Sequence, residues 1–401
     1  MEATGTVHPY EEVMGDDWPS RLAELRESEP VCRVSLPDGD AVWLVTRYDD
    51  VETVLTDPRF SREQRHAGAG GAGGATLPRE FVVTTDRTLQ MDGPDHASLR
   101  RLVARAFTAR RVEELRPHIQ EITDGLLDAM SASGPPADLV AGLASPLPIQ
   151  VICELLGLPV EDRDQFRRWS DATVSVNGYG AQEVSDAWAG LMGYLTETIA
   201  RKREQPGADL VGALIAARDQ EDKLTETELL FLSIGVLIGG NETTVHAIGL
   251  SIWRLLQHPA QWRSLLGDPS LIKPAVEELL RYQPIGSVGR KRFCTEDVEM
   301  GGVTIPQGDV VLLAVRSANR DTACVHDPER FDVTRARNPH LTFGQGPHYC
   351  LGAALARVEL QVVLERLLAR FPRLHVAVPA DQLRWTAGTM VTGFAELPVS
   401  W

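Results

Sequence analysis

Cys350 is the residue best placed to do chemistry. It stands in the run Phe343-Gly344-Gln345-Gly346-Pro347-His348-Tyr349-Cys350-Leu351-Gly352, a glycine-rich loop that delivers one cysteine to the start of a helix. Gly344, Gly346 and Gly352 permit tight backbone turns and the close approach of a flat ligand. The helix that follows offers unpaired N–H groups and a positive dipole end, and both favour thiolate over thiol. This makes Cys350 a candidate metal ligand. A lone cysteine is more often a buried structural residue; the length of the surrounding pattern is what argues for the ligand. Two other runs carry chemistry-bearing side chains. In Glu278-Leu279-Leu280-Arg281 the acid and the base are spaced i, i+3 and face one another on a helix. On a solvated face that pair would be worth little. In Gly239-Gly240-Asn241-Glu242-Thr243-Thr244, two glycines that cost stability in a helix interior precede an acid and an alcohol.

The cysteine loop resembles the haem-binding signature of the cytochrome P450 superfamily, F-G-x-G-x-H-x-C-x-G. The family's other markers follow in their expected order over nearly the whole chain, and the resemblance is to the soluble bacterial class. It implies a mainly α fold with a minor β region, in which residues 1–401 form a single large helical domain enclosing haem. The cofactor implied is haem b (iron protoporphyrin IX), with Cys350 as the axial ligand of the iron and Phe343, Gly344 and Gly352 shaping its seat. The Gly239–Thr244 run resembles the oxygen-activation motif G-x-[DE]-T, which implies proton delivery by Glu242 and Thr243. The glycine pair then reads either as tight packing against a neighbour or as local widening of the helix to admit dioxygen and water. His96 and Arg100, spaced H-x-x-x-R on one helical face, match the helix that binds the haem propionates. Arg292 and His348 match further propionate contacts, with Arg290 as a competitor for the role of Arg292. Together with Pro328-Glu329-Arg330-Phe331, the Glu278–Arg281 pair resembles the family's buried Glu-Arg-Arg cluster, so Glu278, Arg281 and Arg330 are expected to be structural. By the same resemblance, substrate contacts fall at Val82, Val236, Gly239, Asn241, Ser287, Val288, Met390 and Val391. For each of these, ordinary core or loop packing is an equal explanation.

The elements that position these residues follow from periodicity. Ala41 to Thr46 reads as a strand and Asp49 to Leu55 as a short helix stopped by Asp57-Pro58. From Pro94 to Arg281 the pattern is mostly helical, with a loop over residues 177–182. The longest helix begins at the T-x-x-E capping pattern of Thr225 and Glu228 and persists to Leu256, apolar on nearly all faces and therefore central and buried. Val298 to Val303 and Asp309 to Ala314 read as strands joined by a Pro306-Gln307-Gly308 turn. A loop-rich stretch leads to a helix from Leu351 to Arg370, and short strands complete the tail. Ala67 to Ala75, all Gly and Ala, reads as a mobile loop.

Bulk properties exclude some functions. A formal net charge of −16 disfavours nucleic-acid binding. The five cysteines are scattered, with no C-x-x-C pair, which argues against a disulfide framework or a zinc site. Met1 to Trp18 carries no basic-then-apolar leader, and the longest apolar stretch, Leu229 to Gly240, is too short to span a bilayer. A cytoplasmic monomer with no membrane contact is expected. The chain shows no flavin or iron–sulfur motif, so a separate ferredoxin and ferredoxin reductase are the expected electron donors. Arg101, Arg105, Arg110 and Arg111 form a candidate docking patch for them. The function implied is haem-thiolate monooxygenation of a small to mid-sized organic molecule by dioxygen, as a tailoring step in bacterial secondary metabolism. Oxidative C–C or C–N coupling of aromatic substrates, such as tryptophan-containing cyclic dipeptides, is the alternative within the family. A non-catalytic haem sensor or recruitment module is the alternative outside it, against which stand Cys350, Glu242 and Thr243.

Overall fold

Alternation explains the apolar run at Ala41–Val45. Val42 and Leu44 join one buried cluster with Leu22 and Leu25, while Trp43 and Val45 join another with Val51, Val54 and Leu55. A strand covered on both faces reads as continuously apolar. The computed structural model describes residues 7–10, 18–36, 39–68, 91–173, 178–220, 223–285, 290–386 and 393–401. Most of the expected Gly/Ala loop, with Val82, Ser287, Val288, Met390 and Val391, lies outside the described residues.

By its internal contacts the chain forms two compact units. The first comprises Met1–Ala97, Gly286–Phe331 and Arg337–Cys350. Its six-stranded mixed sheet runs in the order Val7–Pro9, Val31–Ser35, Ala41–Val45, Val310–Leu313, Lys291–Cys294, Phe60–Ser61. The Trp18–Ser28 helix packs its Leu22 and Leu25 on one face, and the Tyr48–Thr56 helix packs Val51, Val54 and Leu55 on the other. The expected strand Val298 to Val303 is instead a hairpin of Val298–Met300 and Val303–Ile305. The reason is local: Gly301 and Gly302 take φ of 58° and 82°, the two consecutive left-handed residues of a tight hairpin turn.

The second unit comprises Ser98–Ile285, Asp332–Ala336 and Leu351–Trp401, and is mainly helical. At its centre the capping box at Thr225 forms as its spacing requires. Thr225 Oγ1 accepts from Glu228 N at 3.2 Å, and the Glu228 carboxylate accepts from Thr225 N at 2.6 Å. The helix it starts, Glu226–Leu256, ends where periodicity predicts and runs for about 46 Å. By length and composition alone this helix could cross a membrane, but it is mostly buried, and every residue from Thr244 to Ile252 is covered. It is the core helix of its unit. The helix after Cys350, Ala353–Arg370, starts two residues later than expected. It lies along Ala109–Ser133, where Arg116 donates to Gln361 and Arg366 and Arg370 pair with Asp124 and Asp128. The loop expected over residues 177–182 ends earlier, because Gly180 caps the Ala181–Glu204 helix and donates its N–H to the Glu183 carboxylate.

Candidate active site

The first unit holds the cysteine loop. Gly344 and Gly346 take φ of 74° and 70°, as the tight turns need. A Cβ on Gly346 would press on Leu55 O and Thr56 at the end of the Tyr48–Thr56 helix. Cys350 N donates to Phe343 O at 2.8 Å and closes the loop. Gly352 has an ordinary negative φ, so its value lies in the space that its missing side chain leaves open among the described residues. Arg290 does not compete with Arg292. Its guanidinium donates to Thr342 O and Leu341 O and braces the loop from behind. The four remaining cysteines lie outside the loop. Burial pushes the thiols of Cys32, Cys153 and Cys294 up to about 12 and that of Cys324 to about 11, so all four stay protonated at neutral pH.

A cationic cradle lies in the same unit. Arg292, on the Lys291–Cys294 strand, is buried. Burial first, and the neighbouring Arg62 next, push its pKa down to about 9. Burial and Arg290 push Arg62 down to about 10. Both guanidiniums face one carboxylate, Asp92, which is already committed elsewhere. Asp92 Oδ1 lies 2.6 Å from His348 Nε2, and Oδ2 accepts from Ser61 Oγ at 2.6 Å and Arg62 N at 2.8 Å. Burial alone would raise the Asp92 pKa, but these hydrogen bonds hold it well below the usual carboxylate range. Burial also lowers the pKa of His348, against its hydrogen bond to Asp92. The His348 ring stacks on His96 with centroids 4.1 Å apart. His96 is buried on the Gly93–Ala104 helix, and Arg100 follows one turn later, half-buried. Arg62 and Asp92 were not singled out from the sequence, although Asp92 sits four residues before His96.

The second unit holds the acid and the alcohol. On the Glu226–Leu256 helix, Val236 is half-buried and Gly239 and Thr243 are exposed, so these three form one open stripe at helical spacing. The helix is not widened there. It runs as regular α-helix, and Thr243 Oγ1 donates back to Gly239 O at 2.8 Å. The two glycines have different reasons. A Cβ on Gly240 would lie 2.7 Å from Ile152 Cδ1, which is tight packing, while a Cβ on Gly239 would meet nothing within 4 Å among the described residues. Asn241 is off the stripe, which corrects its expected substrate role. It is 1 % exposed, and neither amide atom has a hydrogen-bond partner among the described residues. Glu242 is buried, with Oε1 2.8 Å from His246 Nε2. Away from the stripe, Glu278 and Arg281 are both fully buried in a bidentate pair at 2.7 and 2.9 Å. The second cation that this unit brings to Glu278 is Arg335, at 3.4 Å, a residue the sequence reading missed. Arg330 belongs to the first unit and is exposed.

Comparison with known proteins places this arrangement. A family model for Cytochrome P450 matches residues 268–390. Nocardicin C N-oxygenase of Nocardia uniformis subsp. tsuyamanensis is 47 % identical over 397 residues, which cover 98 % of each chain. Mycinamicin IV hydroxylase/epoxidase of Micromonospora griseorubida is also 47 % identical, with 98 % of each chain covered. The crystal structure of the LnmA cytochrome P450 hydroxylase of Streptomyces atroolivaceus matches with a TM-score of 0.89 at 45 % identity, covering 98 % of this chain and 100 % of that one. The chain belongs to the cytochrome P450 family. It has the P450 fold and is a haem-thiolate monooxygenase with haem b as its cofactor. The residues of this P450 fit that cofactor. Among the described residues, Arg62 and Arg292 share a single carboxylate that His348 and Ser61 already occupy, so the described cradle is short of negative charge, as a seat for two propionates should be.

Proposed function

We propose that Cys350 is the axial thiolate of the haem and that Arg62, His96, Arg100, Arg292 and His348 hold its propionates. Haem b supplies the redox and oxygen-activating chemistry when bound. The chain's own residues do the rest. Arg290 fixes the loop carbonyls so that the Cys350 sulfur is presented in one position. Phe343 packs against Tyr349, with ring centroids 6.4 Å apart, and keeps water from the loop. Inserting one oxygen atom of dioxygen into a C–H bond and reducing the other to water consumes two electrons and two protons. Glu242 supplies the protons, and Thr243 releases Gly239 O to pass them on, as general acid catalysis requires. Val236 and Gly239 line the substrate side of the helix, and Gly239 leaves the backbone uncovered where the substrate approaches.

The substrate class follows from the relatives named above, whose names concern nocardicin and mycinamicin. This P450 carries out a late oxidation of a mid-sized secondary metabolite. Its electrons come from a ferredoxin and a ferredoxin reductase in the cytoplasm, where it works as a monomer. Arg101, Arg105, Arg110 and Arg111 are all exposed, which suits an acidic donor. The observation that carries this reading is the pair of arginines beside the cysteine loop, Arg292 buried and Arg62 half-buried. Two measurements test it. The reduced protein under carbon monoxide should show the red-shifted band of sulfur-ligated iron. Titration of the ferric protein with candidate metabolites should give a low- to high-spin shift for the substrate. A product heavier by one oxygen identifies hydroxylation, and a dimer lighter by two hydrogens identifies coupling. Absence of the band would overturn the reading.

A further inference from the structure

Glu242 is flanked by more titratable groups than its own helix supplies. Asp171, near the end of the Arg163–Thr173 helix, is half-buried and hydrogen-bonds the Glu242 side chain. His246, one turn along the long helix, bonds Glu242 Oε1. The far edge of the His246 ring is sealed by backbone, since a Cβ on Gly393 would overlap Nδ1. Two other groups face Asp171 from its solvent side: Arg167 on its own helix and Tyr179 from the following segment, both exposed. Asp171 thus stands between water and a buried acid. Two carboxyls in hydrogen-bond contact resist ionising together and share a proton. In agreement, burial, then the Glu242 charge and the hydrogen bond between them push the Asp171 carboxyl up to about 7, against Arg167 and His246.

We propose that Asp171 is the proton intake for Glu242, with His246 holding the Glu242 carboxylate in place. The inference rests on the reading of Glu242 as proton supplier. When Glu242 has given up its proton, the Asp171 acid transfers one to it, leaving an Asp171 carboxylate and a Glu242 acid. Water at the Arg167–Tyr179 edge then reprotonates Asp171. One solvent proton enters per cycle of the pair, and no electron moves. Asp171 touches neither substrate nor cofactor and acts through Glu242.

Infrared difference spectra of the ferric holoenzyme across pH are the direct test. A carboxylic-acid carbonyl band should titrate near neutral pH and vanish in Asp171→Asn. Arg167→Ala, an exposed change that removes a guanidinium opposing the shift, should move the midpoint upward. In turnover, Asp171→Asn should lower product formed per electron by about tenfold, raise the solvent isotope effect and flatten the pH profile near 7, with Asp171→Glu restoring all three. The carbon monoxide spectrum checks that each variant is loaded and folded. If Asp171→Asn does not fold, an Arg167→Ala midpoint that stays put overturns the proposal. So does a wild-type protein with no carboxyl titrating near neutral pH. If Asp171→Asn couples normally while Glu242→Gln does not, Asp171 falls and Glu242 stands. If Glu242→Gln also couples normally, the reading of Glu242 falls as well.

Discussion

The cradle beside Cys350 and the acid cluster around Glu242 bury charge of opposite kinds. The first gathers Arg62, Arg290 and Arg292 about a loop, the second gathers Asp171 and Glu242 about a histidine. Guanidiniums remain charged even when burial lowers their pKa to about 9 or 10, so the cradle is a permanent electrostatic seat. Carboxyls can escape the cost of burial by taking up a proton. The acid cluster is therefore a site whose charge changes with conditions. A cofactor must be held through every cycle, and a proton must be given up in every cycle. On the proposed reading, each task falls to the side-chain chemistry that suits it.

The largest way to break this comparison is to remove the sulfur carried by the loop that the permanent seat surrounds. Cys350→Ala should abolish both the sulfur-ligated carbon monoxide band and turnover, while circular dichroism shows the helices intact. Next in size is Glu278→Ala. It removes the bidentate partner of the fully buried Arg281 and the 2.9 Å acceptor of Asp332 N. A loss of about 3–5 kcal/mol is expected from breaking a buried ion pair, readable in a denaturant melt. Arg335→Ala, which removes the cation 3.4 Å from Glu278 and leaves the bidentate pair in place, should cost less than Glu278→Ala in the same melt.

What could be read from the sequence divides along similar lines. The Cys350 loop was legible because turn glycines, ligand and helix start are contiguous in the chain. The long helix was legible to the residue because its capping box is local. Arg62 and Asp92 were not, since they reach His348 from 286 and 256 residues away and follow no periodicity. Asp171 likewise meets Glu242 only through tertiary packing. Two errors were avoidable. His246 is spaced i+4 from Glu242, which is a face-sharing interval. Asn241 lies about 200° around the helix from Gly239, and so could not share its open stripe.

Acid and base should pull the two sites in opposite directions. The folded-state pKa of Asp92 is depressed, so its contribution to stability is present above the unfolded value of about 3.9 and is lost as pH falls below it. The pKa of Asp171 is raised to about 7, so the folded state holds a proton that the unfolded state has lost. Its effect is to reduce stability progressively as pH rises from about 4 through 7. Melting temperatures measured across pH should show this in the variants. Asp92→Asn should flatten the acid limb, and Asp171→Asn should flatten the decline toward neutrality. Unchanged limbs in both would mean that the two carboxyls are not set apart by their surroundings.

The smallest effects belong to the glycine pair, and they separate packing from access on a single helix. Gly239→Ala meets no neighbour and should raise stability by about 0.5–1 kcal/mol through helix propensity, while altering the spin shift that substrates induce on the open face. Gly240→Ala drives a methyl into Ile152 Cδ1 and should cost about 1–3 kcal/mol before that same propensity gain is counted. Ile152→Val removes the obstructing carbon. Alone it should cost about 0.5–1.5 kcal/mol, but combined with Gly240→Ala it should cost less than the sum of the two. A strictly additive pair would mean that Gly240 is not where the Pro146–Leu156 helix packs closest, and the two glycines would then share one role, not two.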